Sequence, residues 1–316
     1  MEKLNILFLG GAKRVSMARH FKRAARALGR EAVIFSYEIN RDLPISTEGT
    51  VIQGVRYGDS RIYDDMRRVC EEHDIHIIVP FIDGMIDVAD NFARMDGVHV
   101  FSPTCAVAAA LFDKVTCAAL FDSHAIPAPA TWGPGQPVVT PLIAKPRRGS
   151  ASKGIRFIDS EEDLEGLDLN EYLIQERIDN RRELTVDCYS AVRSADIQVC
   201  ACVPRVRNEV AGGEVVRTTV IHWDRATELV RDVIAKLHLR GAVTVQLIHD
   251  LDRDTLTVME INPRLGGGAV ASVCAGADLP AMIIAEALGR PAPVCADWQD
   301  MVVARYLDEV AFPINK

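Results

Sequence analysis

Along the first hundred residues short apolar runs alternate with helical patterns, at Ile6 to Leu9, Val15 to Leu28, Ala32 to Phe35, Ile62 to Glu72, Ile75 to Val79 and Val98 to Phe101. That rhythm predicts a parallel sheet with crossover helices, a doubly wound α/β unit. Gly10-Gly11 follow the first strand directly and let a helix N-terminus approach a ligand. The full G-x-G-x-x-G is missing, because Lys13, Arg14 and Val15 occupy the later positions, so the turn reads as an ordinary glycine turn and not as a dinucleotide site. Oxidoreductase chemistry from that turn stands as a rival that a lack of NAD(P) binding dismisses. Pro80-Phe81-Ile82-Asp83 leaves the strand Ile75 to Val79 at its carboxyl end, where open α/β sheets place ligands. Asp83 is therefore a candidate substrate contact, with helix capping as the alternative.

After Ser102-Pro103 the pattern changes. Ala106 to Leu120 is predicted helical, and Ile126-Pro127-Ala128-Pro129 ends it. Strand-like runs follow at Leu142 to Lys145, Ile155 to Ile158 and Tyr172 to Gln175, with a short helix whose capped start is Ser160-Glu161-Glu162. From Leu184 the segments Leu184 to Val192, Ile197 to Arg205, Val215 to Ile221, Ala242 to His249 and Leu256 to Asn262 predict a mostly antiparallel sheet, interrupted by a helix from Arg225 to Leu239. Three units result: an N-terminal α/β domain over 1–102, a small α+β lobe over 103–178 and a C-terminal sheet lobe over 179–316.

The segment Met259-Glu260-Ile261-Asn262-Pro263-Arg264-Leu265-Gly266-Gly267-Gly268 carries the most chemistry. Side chains alternate along a strand, so Glu260 and Asn262 project from one face about 7 Å apart. A carboxylate and an amide oxygen, with no His or Cys nearby, form a hard-ligand set suited to Mg²⁺. Arg264 then faces the phosphates that such an ion would hold. Lys145 ends an apolar strand ahead of Pro146-Arg147-Arg148-Gly149-Ser150-Ala151-Ser152-Lys153-Gly154, a loop whose backbone N–H groups can approach phosphate. It is not a P-loop, since Ile155-Arg156 stand where Lys-Ser or Lys-Thr belong. In Tyr172-Leu173-Ile174-Gln175-Glu176-Arg177-Ile178 a strand passes into a connector suited to an adenine edge, and Glu183 follows at reach of ribose hydroxyls.

A net charge of -8 argues against a nucleic-acid surface or an anionic membrane face. The eight cysteines show no paired C-x-x-C and read as buried free thiols. With no apolar span of membrane length and no signal h-region, a reducing cytoplasm is the expected setting.

The order of these pieces resembles the ATP-grasp superfamily, closest to the carbamoyl-phosphate synthase large-subunit-like branch of amine ligases, over about Ser102 to Leu307. The resemblance implies an ATP-grasp fold, a pre-grasp α/β domain followed by the two lobes. It assigns Lys114 and Lys145 to the nucleotide, with Ser150 in the glycine-rich loop. Gln175, Glu176 and Ile178 become the adenine hinge and Glu183 the ribose carboxylate. Glu260 and Asn262 become metal ligands, with Gln246 on the preceding strand as a further, weaker one, and Arg264 joins Lys145 as catalytic. If a hairpin sets Gln246 opposite Glu260, Asp250 lies opposite Leu256. Arg205 and Arg217, ahead of Arg207, are candidates to hold a substrate carboxylate near the loop Val210 to Glu214. The implied cofactors are ATP and Mg²⁺, with Mn²⁺ as a substitute. The implied partners are a small-molecule carboxylate and an amine, with a homo-oligomer left open. One grasp unit argues against carbamoyl phosphate synthesis itself. The rival class is an ATP-binding regulatory module that keeps the fold without ligation.

Overall fold

The computed structural model describes residues 1–149 and 153–314. The first unit is a parallel sheet in the order β3-β2-β1-β4-β5, built from β1 (Glu2–Leu9), β2 (Arg30–Glu38), β3 (Thr50–Gln53), β4 (Ile77–Pro80) and β5 (His99–Val100). The second half of the central strand, Ile6 to Leu9, is apolar throughout because helices cover both faces. Ile6 and Phe8 pack with Met17 and Phe21 of α1 (Val15–Ala27), while Leu7 and Leu9 pack with Met66 and Val69 of α2 (Ile62–Glu72) and Val88 of α3 (Ile86–Phe92). Strand order reverses between β1 and β4, so their carboxyl ends open the crevice where Gly10 and Asp83 sit.

The single helix expected over Ala106 to Leu120 is two. Asp113 has extended backbone and caps the second, its carboxylate accepting from Thr116 N (3.0 Å) and from Arg147 Nε (2.6 Å). This separates α4 (Cys105–Phe112) from α5 (Lys114–Ser123) and leaves Lys114 at the start of a helix. An antiparallel sheet follows in the order β6-β9-β7-β8, from β6 (Thr131–Trp132), β7 (Leu142–Pro146), β8 (Arg156–Ile158) and β9 (Tyr172–Glu176). The capped start at Ser160 forms only a 3₁₀ turn over Glu161–Leu164, with Asp163 closing the capping box.

The third sheet is antiparallel in the order β14-β13-β10-β11-β12-β15, from β10 (Arg181–Ser190), β11 (Val199–Ala211), β12 (Glu214–Val220), β13 (Gly241–Asp250), β14 (Thr255–Asn262) and β15 (Met301–Ala304). One face packs Leu184, Val186, Cys188, Val243 and Val245 against Val230 and Val233 of α6 (Asp224–Lys236). The segment Val210 to Glu214, expected as a loop, is a hairpin tip. β11 runs on to Ala211, and Gly212 and Gly213, with φ of 58° and 79°, make the two-residue turn that needs two positive φ values. Beyond β14, α7 (Val270–Cys274) and α8 (Leu279–Ala287) return to the first sheet, where Met282 and Ile283 share a core with Ile6 and Phe8.

All eight cysteines are free, but Cys274 is exposed and Cys105 and Cys295 are partly so, which corrects the expectation that all are buried. Among the described residues no helix is long and apolar enough to cross a membrane.

Candidate nucleotide and metal site

The face of the third sheet opposite α6 carries a polar stripe across four strands. Residues two apart share a face, so Glu183 and Asp187 of β10, Arg205 and Arg207 of β11, Thr244 and Gln246 of β13, and Glu260 and Asn262 of β14 lie together. Gln246 stands directly opposite Glu260, as the hairpin reading requires. Asp250, however, pairs with Thr255 and not Leu256, because a β-bulge interrupts the ladder between Gln246 and Leu247. Met259 is the extra residue. It lines the cleft beside Glu260, while Val258 and Ile261 keep their places in the core.

Between this face and the four-stranded sheet lies a cleft of about 610 Å³, within the usual range for small-molecule sites. Lys114, Lys145, Gln175, Glu176, Ile178, Glu183, Gln246 and Glu260, read from separate parts of the sequence, all line it. Lys145 Nζ donates to Gln175 Oε1 (2.9 Å), and Gln175 Nε2 donates to Pro129 O (3.2 Å), which fixes the end of β9. Burial, partly offset by Glu260, brings the Lys145 ammonium down to about 8. Lys114 Nζ donates to Gly149 O (2.9 Å), tying α5 to the glycine-rich loop. Glu176 accepts from Ala130 N (3.1 Å) and Arg253 Nη2 (2.8 Å), so its carboxylate braces the hinge while the chain runs on to buried Ile178. Ser150 lies outside the described residues.

The metal-ligand candidates are neighbours. Asn262 Nδ2 donates to Glu260 Oε1 (2.8 Å), and Arg264 Nη2 donates to Asn262 Oδ1 (3.3 Å). Gln246 Oε1 accepts from Arg207 Nη1 (2.5 Å), and the same nitrogen lies 3.4 Å from Glu183. Among the described residues no cluster of three or more His, Cys, Asp and Glu side chains could hold a metal. The donor set here is one carboxylate with two amide oxygens, hard ligands that fit Mg²⁺ or Mn²⁺ and disfavour zinc. Arg264 Nε also donates to Asp83 Oδ1, so the crevice of the first sheet supplies the group that orients this arginine. Asp83 thus contacts Arg264 and is not a cap on α3.

Two substrate candidates fall elsewhere. Arg205 is 3% exposed and closed in an ion pair with Asp187 (2.8 Å), outside the cleft. Arg217 is half exposed, paired with Glu209 (3.5 Å) on the far side of the sheet next to β15. The arginines that do line the cleft are Arg207, ranked below them by sequence, Arg177, which is paired with Asp159 and Asp179, and Arg181, which donates to Ile178 O (2.7 Å) and Glu183 Oε1 (3.2 Å). The alternation that makes Arg205 and Arg207 share a face was the available signal for Arg207. At the first glycine turn the Glu38 carboxylate accepts from Ser36 Oγ (2.7 Å) and lies near the N–H groups of Gly11 and Ala12, while burial pushes its proton affinity up.

A model of the ATP-grasp domain family (ATP-grasp_3) matches residues 111–268. No curated protein matches the chain. Among solved structures, N5-carboxyaminoimidazole synthetase from Staphylococcus aureus in complex with ADP superposes with a TM-score of 0.74 at 18% identity, over 97% of this chain and 83% of its own. Biotin carboxylase from Campylobacter jejuni gives 0.72 at 15% identity, over 92% and 72%. Pyruvate carboxylase from Rhizobium etli gives 0.68 at 18% over 90% of this chain, which spans only 28% of that enzyme. At these identities the likeness is one of fold.

Proposed function

The chain belongs to the ATP-grasp domain family, and from that premise we propose a cytoplasmic, ATP- and Mg²⁺-dependent ligase that activates a carboxylate as an acyl phosphate for attack by an amine or similar small nucleophile. Within the family we place it in the carbamoyl-phosphate synthase-like branch, on the Glu260 to Arg264 segment and Gln246. We take the three sheets as the cores of domains spanning 1–102, 103–178 and 179–316. The observation that carries the reading is the meeting, in one cleft, of two lysines, a hinge and a ribose-type carboxylate with Gln246 and Glu260, while Arg264 is linked to Glu260 through Asn262.

In this reading Gln175, Glu176 and Ile178 frame the adenine, Glu183 accepts from the ribose, and Lys114, Lys145 and the loop after Gly149 meet the phosphates. Glu260 and Asn262, with Gln246 beside them, would hold Mg²⁺, which supplies charge neutralisation for phosphate oxygens. A carboxylate oxygen of the acid attacks the γ-phosphorus and ADP leaves. The amine then attacks the acyl carbon, phosphate leaves with one former carboxylate oxygen, and the nitrogen gives up a proton. The chain supplies position and fixed positive charge from Lys145 and Arg264, and no protein nucleophile. Arg207 and Arg181 hold Glu183 and Gln246 in place.

Lys145 also sets a pH dependence. Its depressed ammonium is charged below about 8 and loses its proton as pH rises through that value, so kcat/KM for ATP should fall above about pH 8 in the free enzyme. Bound triphosphate favours the charged form, so the alkaline limb of kcat should lie higher. Lys145→Arg should abolish the limb of kcat/KM; a limb unmoved by that change would assign it to another group.

The functional test is a screen of paired carboxylic acids and amines for phosphate release from ATP and Mg²⁺. Acid-dependent release supports ligation. ATP binding with no acid-dependent release across a broad panel would leave a nucleotide-binding regulatory module.

A further inference from the structure

Two arginines from distant parts of the chain bring their guanidinium groups to one glycine turn. A Cβ on Gly267 would sit 2.9 Å from Arg14 Nη1, and a Cβ on Gly268 would sit 2.7 Å from Arg205 Nη2, so the Gly266-Gly267-Gly268 run is what admits both guanidinium groups. Among the described residues, buried Arg14 Nε and Nη1 and Arg205 Nη1 have no hydrogen-bond partner. Buried charged donors left unpaired are costly, and such groups ordinarily find an acceptor.

The acceptor has a place to sit. Between the turn after β1, the glycine run and the ends of β12 and β15 lies a cavity of about 60 Å³, walled by Arg14, Lys13 and Arg305. That is several times the space one water needs and too little for a whole substrate. Arg14 and Arg305 share a single carboxylate, Glu214 (3.2 and 2.8 Å), Arg205 has Asp187, and Glu38 lies near the turn behind Arg14. Lys13, exposed at the rim, pairs with none of these. Positive charge is in excess. Arg264 precedes the glycine run by two positions and lies close enough to lower the proton affinity of Arg14, so the cavity adjoins the end of the site where the phosphoryl group would be transferred.

We propose that this cavity is an anion subsite, which takes a second carboxylate or a phosphate group of the substrate whose reacting end meets Arg264. Its place beside Arg264 rests on the ligase reading, and it narrows the substrate to a molecule with an anionic group besides the one that reacts. The first sheet contributes half the subsite through Lys13 and Arg14, which ties substrate recognition to the docking of that sheet on the third.

The test is calorimetric titration of the protein with succinate and, separately, inorganic phosphate, with and without Mg²⁺ and a non-hydrolysable ATP analogue. The tighter of the two probes identifies the anionic group. Arg14→Gln should weaken its binding about ten- to a hundredfold, the range for losing hydrogen bonds to a charged group. Lys13→Met, which leaves the Glu214 pairs untouched, should weaken it by a smaller factor. Gly267→Ala narrows the cradle without changing charge and should weaken it too. The analogue should bind all of these variants as it binds the parent. Saturable binding of neither probe, or binding equal in the parent and all three variants, overturns the subsite. Failure of the analogue to bind the parent protein counts against the ligase reading instead, and the titrations without nucleotide still decide the subsite.

Discussion

Replacing Arg264 by alanine is expected to lower kcat by about a hundredfold or more while the affinity for ATP changes little, the range for losing one preorganised charge contact. The asymmetry follows from position. Arg264 does not line the cleft that Lys145 and Glu183 share; it reaches Asn262 Oδ1 from one side and Asp83 from the other. An interaction of that kind is felt when charge moves onto the transferred phosphoryl group, so kcat and kcat/KM should fall together. Arg264→Lys should recover only part of the loss, because a point charge cannot hold Asp83 and Asn262 while facing phosphate. Single-turnover ATP cleavage with the acid present separates this from product release. Unchanged turnover in the alanine variant would remove Arg264 from the mechanism.

The largest effect on stability is expected at Asp187. Its carboxylate is 1% exposed and accepts from Arg205 Nε (2.8 Å), Ser272 Oγ (2.7 Å) and Thr244 Oγ1 (3.5 Å), joining β10, β11, β13 and α7. Asp187→Ala leaves the Arg205 cation buried without its partner, which costs about 3–5 kcal/mol. The midpoint of thermal unfolding should drop by on the order of 10 °C, given about 2–4 °C per kcal/mol for chains somewhat shorter than this one. The double change Asp187→Leu with Arg205→Met removes both charges and should restore much of the loss, since hydrophobic replacement of a buried pair is often neutral. A double variant as unstable as the single one would mean that packing around the glycine run, and not the unpaired charge, carries the effect.

Much of this was legible in the chain, for identifiable reasons. The continuous apolar run Ile6 to Leu9 can satisfy a strand only when both faces are covered, and the structure covers both. Gln246 was found through the resemblance, and it stands opposite Glu260 only through the bulge, since the turn alone would set it opposite Met259. The bulge at Met259 was not visible, because one extra residue changes no composition and its effect appears only in the partner strand. Asp113 lies inside an apolar helical pattern; its cap bond to Thr116 N is local, while the Arg147 that also holds its carboxylate is more than thirty residues away. The ranking of Arg205 over Arg207 reversed for a similar reason. Both point to the same face, and what divides them is the neighbouring strand, which offers Asp187 to one and Glu183 to the other, with Gln246 one strand beyond. Arg14 carried no local signal, since its partner Glu214 is 200 residues away.

The most direct measurement follows the oxygen atoms. With an acid and amine identified by phosphate release, the acid is labelled with oxygen-18 in its carboxylate and the released inorganic phosphate is examined by mass spectrometry. Activation as an acyl phosphate predicts that one carboxylate oxygen appears in the phosphate for each product formed. Phosphate free of the label, with product still accumulating, would contradict it.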